Sequence, residues 1–153
     1  MTDEYYMKLA LKEAEKAYHQ GEIPVGALIV QNDQIIAKGY NQTELLKDST
    51  AHAEIIALTA AFNTLNSKYL PEATLYVTLE PCLMCCGALY WSKIRRIVYS
   101  ASDDKNGYRR VENCCNNAPK LLHPKTSLSN GILAEESLSL LKSFFKERRS
   151  NSF

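Results

Sequence analysis

The sequence predicts an α/β fold, and three observations carry that reading. An alternating strand at Ala73–Leu79 gives way to a short, almost wholly apolar helix over Cys82–Ser92, and another strand follows at Ile94–Ser100. Strand, helix and strand at this spacing form a βαβ unit with parallel strands, in a sheet covered by helices on both faces. Upstream, two apolar runs flank the turn signal Asn32-Asp33 as a β-hairpin, and helical patterns precede, separate and follow these strands.

Taken in order, the first helix runs over Asp3–Gln20. Apolar or small residues recur at Tyr6, Leu9, Ala10, Ala14 and Ala17, Thr2 or Asp3 caps the start, and Gly21 stops it. Lys8, Lys12, Glu13, Glu15 and Lys16 form its solvated face. The hairpin strands are Val25–Gln31 and Gln34–Tyr40. Pro24 and Gly26 at its entrance permit close backbone approach, either by a substrate or by neighbouring chain. Gln42–Thr50 is a polar loop. The second helix spans about Ala51–Asn66, capped by Thr50, with Ile55, Ile56, Leu58, Ala61, Phe62 and Leu65 toward the core.

Pro71 leads into the third strand, where Leu75, Val77 and Leu79 alternate with Tyr76 and Thr78. Between Ala101 and Leu122 the pattern fades. Asp103-Asp104-Lys105-Asn106-Gly107 is a loop, and Cys114, Cys115, Asn116 and Asn117 show no clear period. Tyr108-Arg109-Arg110 is a basic cluster suited to phosphate, or simply to a solvated surface. A last helix, about Leu133–Arg149, turns Leu138, Leu141, Phe144 and Phe145 inward. Its ending in Lys146, Arg148 and Arg149 suits the negative end of the helix dipole, and the same end can also touch nucleic acid.

Composition narrows the class. The chain has 153 residues, 46% hydrophobic and 23% charged, which predicts one globular domain over 1–153 with an ordinary core. Five cysteines, an odd number with two adjacent pairs, fit a reducing compartment rather than a disulfide framework. The acidic, amphipathic start is unlike a signal peptide, and no apolar run is long enough to span a bilayer, so a cytoplasmic location and no membrane partner are expected. A net charge of +1 decides nothing about nucleic acid.

The chemistry concentrates in two places. Cys82 and Cys85 lie three apart directly after Pro81, where a strand passes into a helix, so they share a face and can grip one ion. Pro81 suits the first helical position, and a helix N-terminus favours thiolate. Thirty residues upstream stand His52 and Glu54. One imidazole and two thiolates make a catalytic zinc set with a fourth position left for water, and Glu54 is then free to shuttle a proton from that water to a leaving group. The plainer readings of the Cys pair are a redox couple or buried thiols. A closed structural zinc site would call for four ligands, and the adjacent Cys114-Cys115 cannot readily supply a second spaced pair. His19 and His123 stand alone. Residues two apart on an ideal helix do not face the same way, so His52 and Glu54 must act from an irregular first turn.

His-x-Glu followed by Pro-Cys-x-x-Cys is the signature of the zinc-dependent deaminases described among base-flipping enzymes. The chain resembles the bacterial tRNA-specific adenosine deaminases of the cytidine-deaminase-like superfamily across nearly its whole length. The resemblance rests on Gly21–Ala27, Gly39-Tyr40-Asn41, Thr50–Ile55, Ala73–Cys82, Ser92-Lys93-Ile94 with Val98, Asp103 with Lys105 and Gly107, Gly131–Glu136 and Phe144–Arg149. It implies a three-layer α/β/α sandwich around a five-stranded mixed sheet. It implies one zinc ion per chain on His52, Cys82 and Cys85, with Glu54 as the catalytic proton shuttle. Asn41 is similar to a residue that hydrogen-bonds the target purine. Val25 is similar to a residue that packs on that purine, Ala53 is expected among the substrate-binding residues, and Asp103 takes the place of a residue that contacts the flanking nucleotides. A homodimer acting on a tRNA anticodon stem-loop, forming inosine at the wobble position and releasing ammonia, completes the implication.

The chain departs from the family between Gly107 and Gly131. In place of a Gly/Ser-containing loop and a His-rich stretch it has Tyr108–Asn117, and only His123-Pro124 is similar. Cys86, where a small residue is usual, reads as a packing residue, with an exchanged zinc ligand as the alternative. The divergence keeps a second reading open, a deaminase for a free base or nucleoside of guanine, cytosine or adenine type. A third, of another class, is a non-catalytic zinc-stabilised binding module, which has no need of Glu54.

Overall fold

The computed structural model describes residues 1–114 and 120–151. Cys115, Asn116 and Asn117, read above as aperiodic, lie outside the described residues.

Local sequence explains most elements. The first helix, α1 (Asp3–His19), starts where the Thr2 hydroxyl accepts the Tyr5 N–H at 3.1 Å, and it ends before Gly21, which adopts φ +75°. Strands β1 (Gly26–Gln31) and β2 (Gln34–Tyr40) meet at Asn32 and Asp33, both at positive φ, which is the turn whose twist matches a hairpin. Helix α2 (Ala53–Leu65), strand β3 (Thr74–Leu79), helix α3 (Leu83–Ser92) and strand β4 (Arg96–Ala101) follow. Helix α4 (Tyr108–Cys114), strand β5 (Ser127–Asn130) and helix α5 (Ala134–Asn151) complete the order.

The five strands form one mixed sheet in the order β2-β1-β3-β4-β5. β1 is antiparallel to β2 and β3, whereas β3, β4 and β5 run parallel, so the predicted βαβ unit is present. Alternation sorts the side chains into two cores. Ala27, Ile29, Leu75, Val77, Ile97 and Tyr99 meet α2 and α3, while Leu28, Val30, Tyr76 and Val98 meet α1. The three-layer α/β/α arrangement follows.

Some expectations are corrected. The second helix begins at Ala53 rather than Ala51, because Thr50 binds Asp48 through its backbone N–H at 2.8 Å and its hydroxyl at 2.7 Å and forms a turn instead of a cap. The third begins at Leu83, so Pro81 is not its first residue and Cys82 takes the cap position. Leu138 and Phe145 are exposed, and Ser137, Leu141 and Phe144 are the buried face of α5.

One polar knot ties the first helix to the middle of the sheet. Asp3 accepts Arg96 Nη1 and Nη2 at 2.8 and 2.7 Å, and the Tyr76 hydroxyl at 2.8 Å. The Arg96 guanidinium holds the Asp3 carboxyl below its ordinary range. A carboxylate with a depressed folded pKa stabilises above its unfolded pKa and ceases to as pH falls through the folded one. Asp3→Asn should therefore cost about 1–2 kcal/mol at pH 7, discounted for partial exposure, with the deficit shrinking in acid. Urea denaturation of both proteins at pH 7 and pH 3 checks this; an equal deficit at both values would sink it.

Candidate active site

Two helix N-termini meet at the end of the sheet, and their cap residues are unusual. His52 caps α2 and Cys82 caps α3, both with extended backbone and neither with a side-chain bond to its own helix end. Caps are normally Ser, Thr, Asp or Asn bonding the first turn. Here the cap side chains are left to turn toward each other.

His52 Nδ1 lies 3.6 Å from Cys82 Sγ and 3.5 Å from Cys85 Sγ. Donor atoms of the three residues all lie within 4.8 Å of one another. Cys82 and Cys85 occupy the cap and third positions of α3, the spacing at which a capping box brings two side chains together. The extended conformation at His52 answers the difficulty raised by the His-x-Glu spacing. The imidazole departs from a non-helical residue, while Glu54 sits inside the first turn of α2 and is buried.

The electrostatics are those of a tight cluster. The Cys85 thiol donates toward Cys82, which draws Cys82 down to about 4 against the opposing effect of burial. Cys85 is pushed up by that same bond, by burial and by the Glu54 carboxylate. The first thiolate forms easily and the second reluctantly, as two like charges in one site require. The bond with Cys82 raises His52. Burial pushes Glu54 up to about 7, opposed by its backbone hydrogen bond, so it can both accept and give a proton near neutrality. One borderline nitrogen and two soft sulfurs at these separations fit zinc, whose charge would favour the second thiolate as well. Cys86 is buried in the apolar core and is outside this group of donors, as its packing reading requires.

The other predicted site residues lie on segments that adjoin the trio, where the Gln42 N–H donates to the Ala51 carbonyl at 3.0 Å beside His52. Asn41 follows β2 and is buried; its Nδ2 donates to the Ile23 carbonyl at 3.2 Å and its Oδ1 accepts the Thr43 N–H at 3.4 Å. Its backbone N–H donates to the Val25 carbonyl at 3.0 Å, which places the two residues side by side. Ala53, the first residue of α2, is fully buried. Asp103, after β4, caps its own loop by accepting the N–H groups of Lys105 and Asn106 at 3.1 and 3.0 Å. That loop reaches the turn at Cys82 through a bridge between Cys82 and Gly107.

Sequence reasoning missed two buried carboxylates beside these loops. Glu22 accepts the backbone N–H groups of Glu44 and Leu45 at 2.9 and 2.8 Å, which anchors the loop joining Asn41 to His52. Glu80 accepts Arg109 Nη2 at 2.8 Å, so Arg109 is not simply a solvated surface cation. The available signal was an acidic residue adjoining an apolar strand in each case.

Comparisons place this geometry. Residues 1–101 match the model of the cytidine and deoxycytidylate deaminase zinc-binding region. A tRNA-specific adenosine deaminase of Aquifex aeolicus is 46% identical over 153 residues, covering 99% of each chain. The chain belongs to the tRNA-specific adenosine deaminase family. Its relative in Bacillus subtilis is 41% identical over 96% of this chain and 91% of that protein. A solved structure from work on A-to-I editing by tRNA:A34 deaminases superposes with a TM-score of 0.82 at 39% identity, covering 90% of this chain and 99% of that one. Guanine deaminase from Nitrosomonas europaea gives a TM-score of 0.78 at 27% identity, over 92% and 83% of the two chains. The expected family and fold are thereby borne out.

Proposed function

We propose that this family member is a zinc-dependent hydrolytic deaminase that converts adenosine to inosine at the wobble position of a tRNA anticodon and releases ammonia. The observation that carries the reading is the convergence of His52, Cys82 and Cys85 beside the buried Glu54.

In this reading His52, Cys82 and Cys85 hold one zinc ion per chain. Zinc on such a set supplies Lewis acidity, which makes water a nucleophile near neutral pH. Glu54 is the catalytic residue: it accepts the proton that the attacking water gives up and returns one to the departing amine. The C–N bond at purine C6 breaks and a C–O bond replaces it, so adenosine and water become inosine and ammonia. Asn41 orients the purine with the N–H and lone pair left over from its contacts with Ile23 and Thr43. Val25 and Ala53 pack on the base, and Asp103 meets the nucleotides beside it. A single-stranded anticodon loop keeps the cost of unstacking the target low.

The likeness to a guanine deaminase supports one alternative, a free base or nucleoside as substrate. Mass-spectrometric nucleoside analysis after incubation with unmodified tRNA, beside tubes of free guanine, cytosine and adenosine, separates the two. Inosine in the tRNA, absent with Glu54→Ala, is the expected result. Ammonia from a small molecule alone would move the reading to the alternative. No ammonia from any tube, with protein that holds zinc, would favour the non-catalytic module.

We read residues 1–153 as one deaminase domain that works in the cytoplasm as a homodimer. The assembly is supported by Leu83, Met84, Tyr90 and Trp91, which leave an exposed apolar surface along α3. Light scattering at twice the chain mass is expected, and a monomer at micromolar concentration would rule it out. Among the described residues no helix is long and apolar enough to cross a membrane.

A further inference from the structure

Glu80 stands immediately before Pro81-Cys82, and its side chain is wholly buried. Its carboxylate gathers four N–H groups from across the site. The backbone N–H of Asp103 donates at 3.1 Å and that of Arg109 at 3.2 Å. Arg109 Nε and Nη2 add bonds of 3.1 and 2.8 Å. Both ends of the 103–109 loop are therefore held by one carboxylate. Two backbone contacts close the same seam: Tyr108 N–H donates to the Pro81 carbonyl at 2.9 Å, and Cys82 pairs with Gly107. A Cβ at Gly107 would fall onto Glu80 Oε2 and onto the Asp103 carbonyl oxygen, a backbone atom.

A buried carboxylate needs hydrogen bonds and a countercharge, and here both come from the loop. Arg109 is half-exposed, yet its fork is committed inward rather than to solvent. Asp103 does not set its own position. Its N–H is fixed by Glu80, and its carboxylate caps the turn at Lys105 and Asn106.

We infer that Glu80 and Arg109 form a latch that fixes the 103–109 loop against the Cys82 turn, making both positioning residues for the RNA segment that flanks the target base. The inference rests on the proposed tRNA deamination. The latched loop touches the flanking nucleotides and not the reacting atoms, so its contacts are the same in the ground state and the transition state. Loss of the latch then appears in KM more than in kcat. Arg109 acts through Glu80 and not on a phosphate.

The test compares wild type, Glu80→Gln, Arg109→Gln and the double variant, each zinc-loaded, on an anticodon stem-loop RNA. Each single variant should lose about 10- to 100-fold in kcat/KM, carried mainly by KM, with zinc retained. The double variant should lose no more than the worse single one, because either change opens the same latch. The salt dependence of KM should match wild type in Arg109→Gln, and hydrogen exchange should quicken at the Asp103 and Arg109 amides in every variant. Additive losses, an unchanged KM, or a salt slope smaller by about one phosphate contact in Arg109→Gln would overturn the latch. Should Glu80→Gln fail to fold, the half-exposed Arg109→Gln carries the test with Arg109→Lys, which restores the charge but not the fork. A wild-type protein inactive on the RNA would sink the deamination reading and the positioning role with it. Active variants with unchanged exchange at the two amides would sink the latch alone.

Discussion

Glu54→Gln should abolish most deamination while leaving the fold intact, with kcat on an anticodon stem-loop down about 10²- to 10⁴-fold. The amide fills the same space as the carboxyl but cannot accept a proton from water or return one to the amine. Glu54 is almost fully buried, and burial holds its carboxyl well above the ordinary range. The native protein thus retains the proton between the ordinary carboxyl pKa and about 7. A raised carboxyl pKa means that this group's contribution to stability falls as pH rises through that window. Replacing it by a group that never ionises removes that loss. In zinc-stripped protein at pH 8, the thermal midpoint of Glu54→Gln should equal or exceed that of wild type, and zinc binding should persist because the three donors are untouched. Residual activity above one tenth of wild type would take the proton-shuttle role away from Glu54.

The site was legible in sequence to the extent that it depends on residue identity, and less so where it depends on backbone. His52, Glu54, Cys82 and Cys85 stand out by type and spacing. The way they converge does not, because cap rules reward side chains that bond their own helix end. Thr50 and Pro81 look like better starts than the residues that serve. His52 holds a cap position while its side chain turns to Cys82 and Cys85 of the other helix, an arrangement with no local signature. Strand β5 escaped for a similar reason. Ser127–Asn130 has no apolar alternation and is held by backbone pairing with β4, with the Thr126 hydroxyl donating to the Ile94 carbonyl at 2.6 Å. Helix α4 lies in the divergent segment, and only Tyr108 among its residues is buried. Arg109 was visible as a charge, but its partner lies 29 residues away, beyond any local pattern.

Gly26→Ala should be strongly destabilising, costing about 3 kcal/mol or more. Gly26 opens β1, and a Cβ there would fall onto the Ala10 carbonyl oxygen and the Ala14 amide of α1. Both are backbone atoms, so no side chain can swing aside; the helix itself must lift from the sheet. The question left open by the sequence, whether Gly26 makes room for substrate or for chain, is thus answered in favour of α1. Small residues on the helix complete the approach, since Ala10, Ala14 and Ala17 are all fully buried. Gly39 plays the same part on the other face, where a Cβ would meet the Ala53 carbonyl oxygen at 2.6 Å and the Ala57 amide at 2.9 Å. The two glycines press α1 and α2 onto the sheet beside the residues proposed to meet the base. Gly26 pairs with Tyr40 across the hairpin, and the neighbouring Val25 carbonyl holds the Asn41 N–H. Gly87 is the control, because a Cβ there meets nothing within 4 Å. It is exposed inside α3 on the face of Leu83, Met84, Tyr90 and Trp91, so in the monomeric chain Gly87→Ala should stabilise by about 0.5–1 kcal/mol through helix propensity. Chemical denaturation of both variants at one protein concentration decides the matter. A Gly26→Ala protein as stable as wild type would mean that α1 is not held to the sheet by this contact.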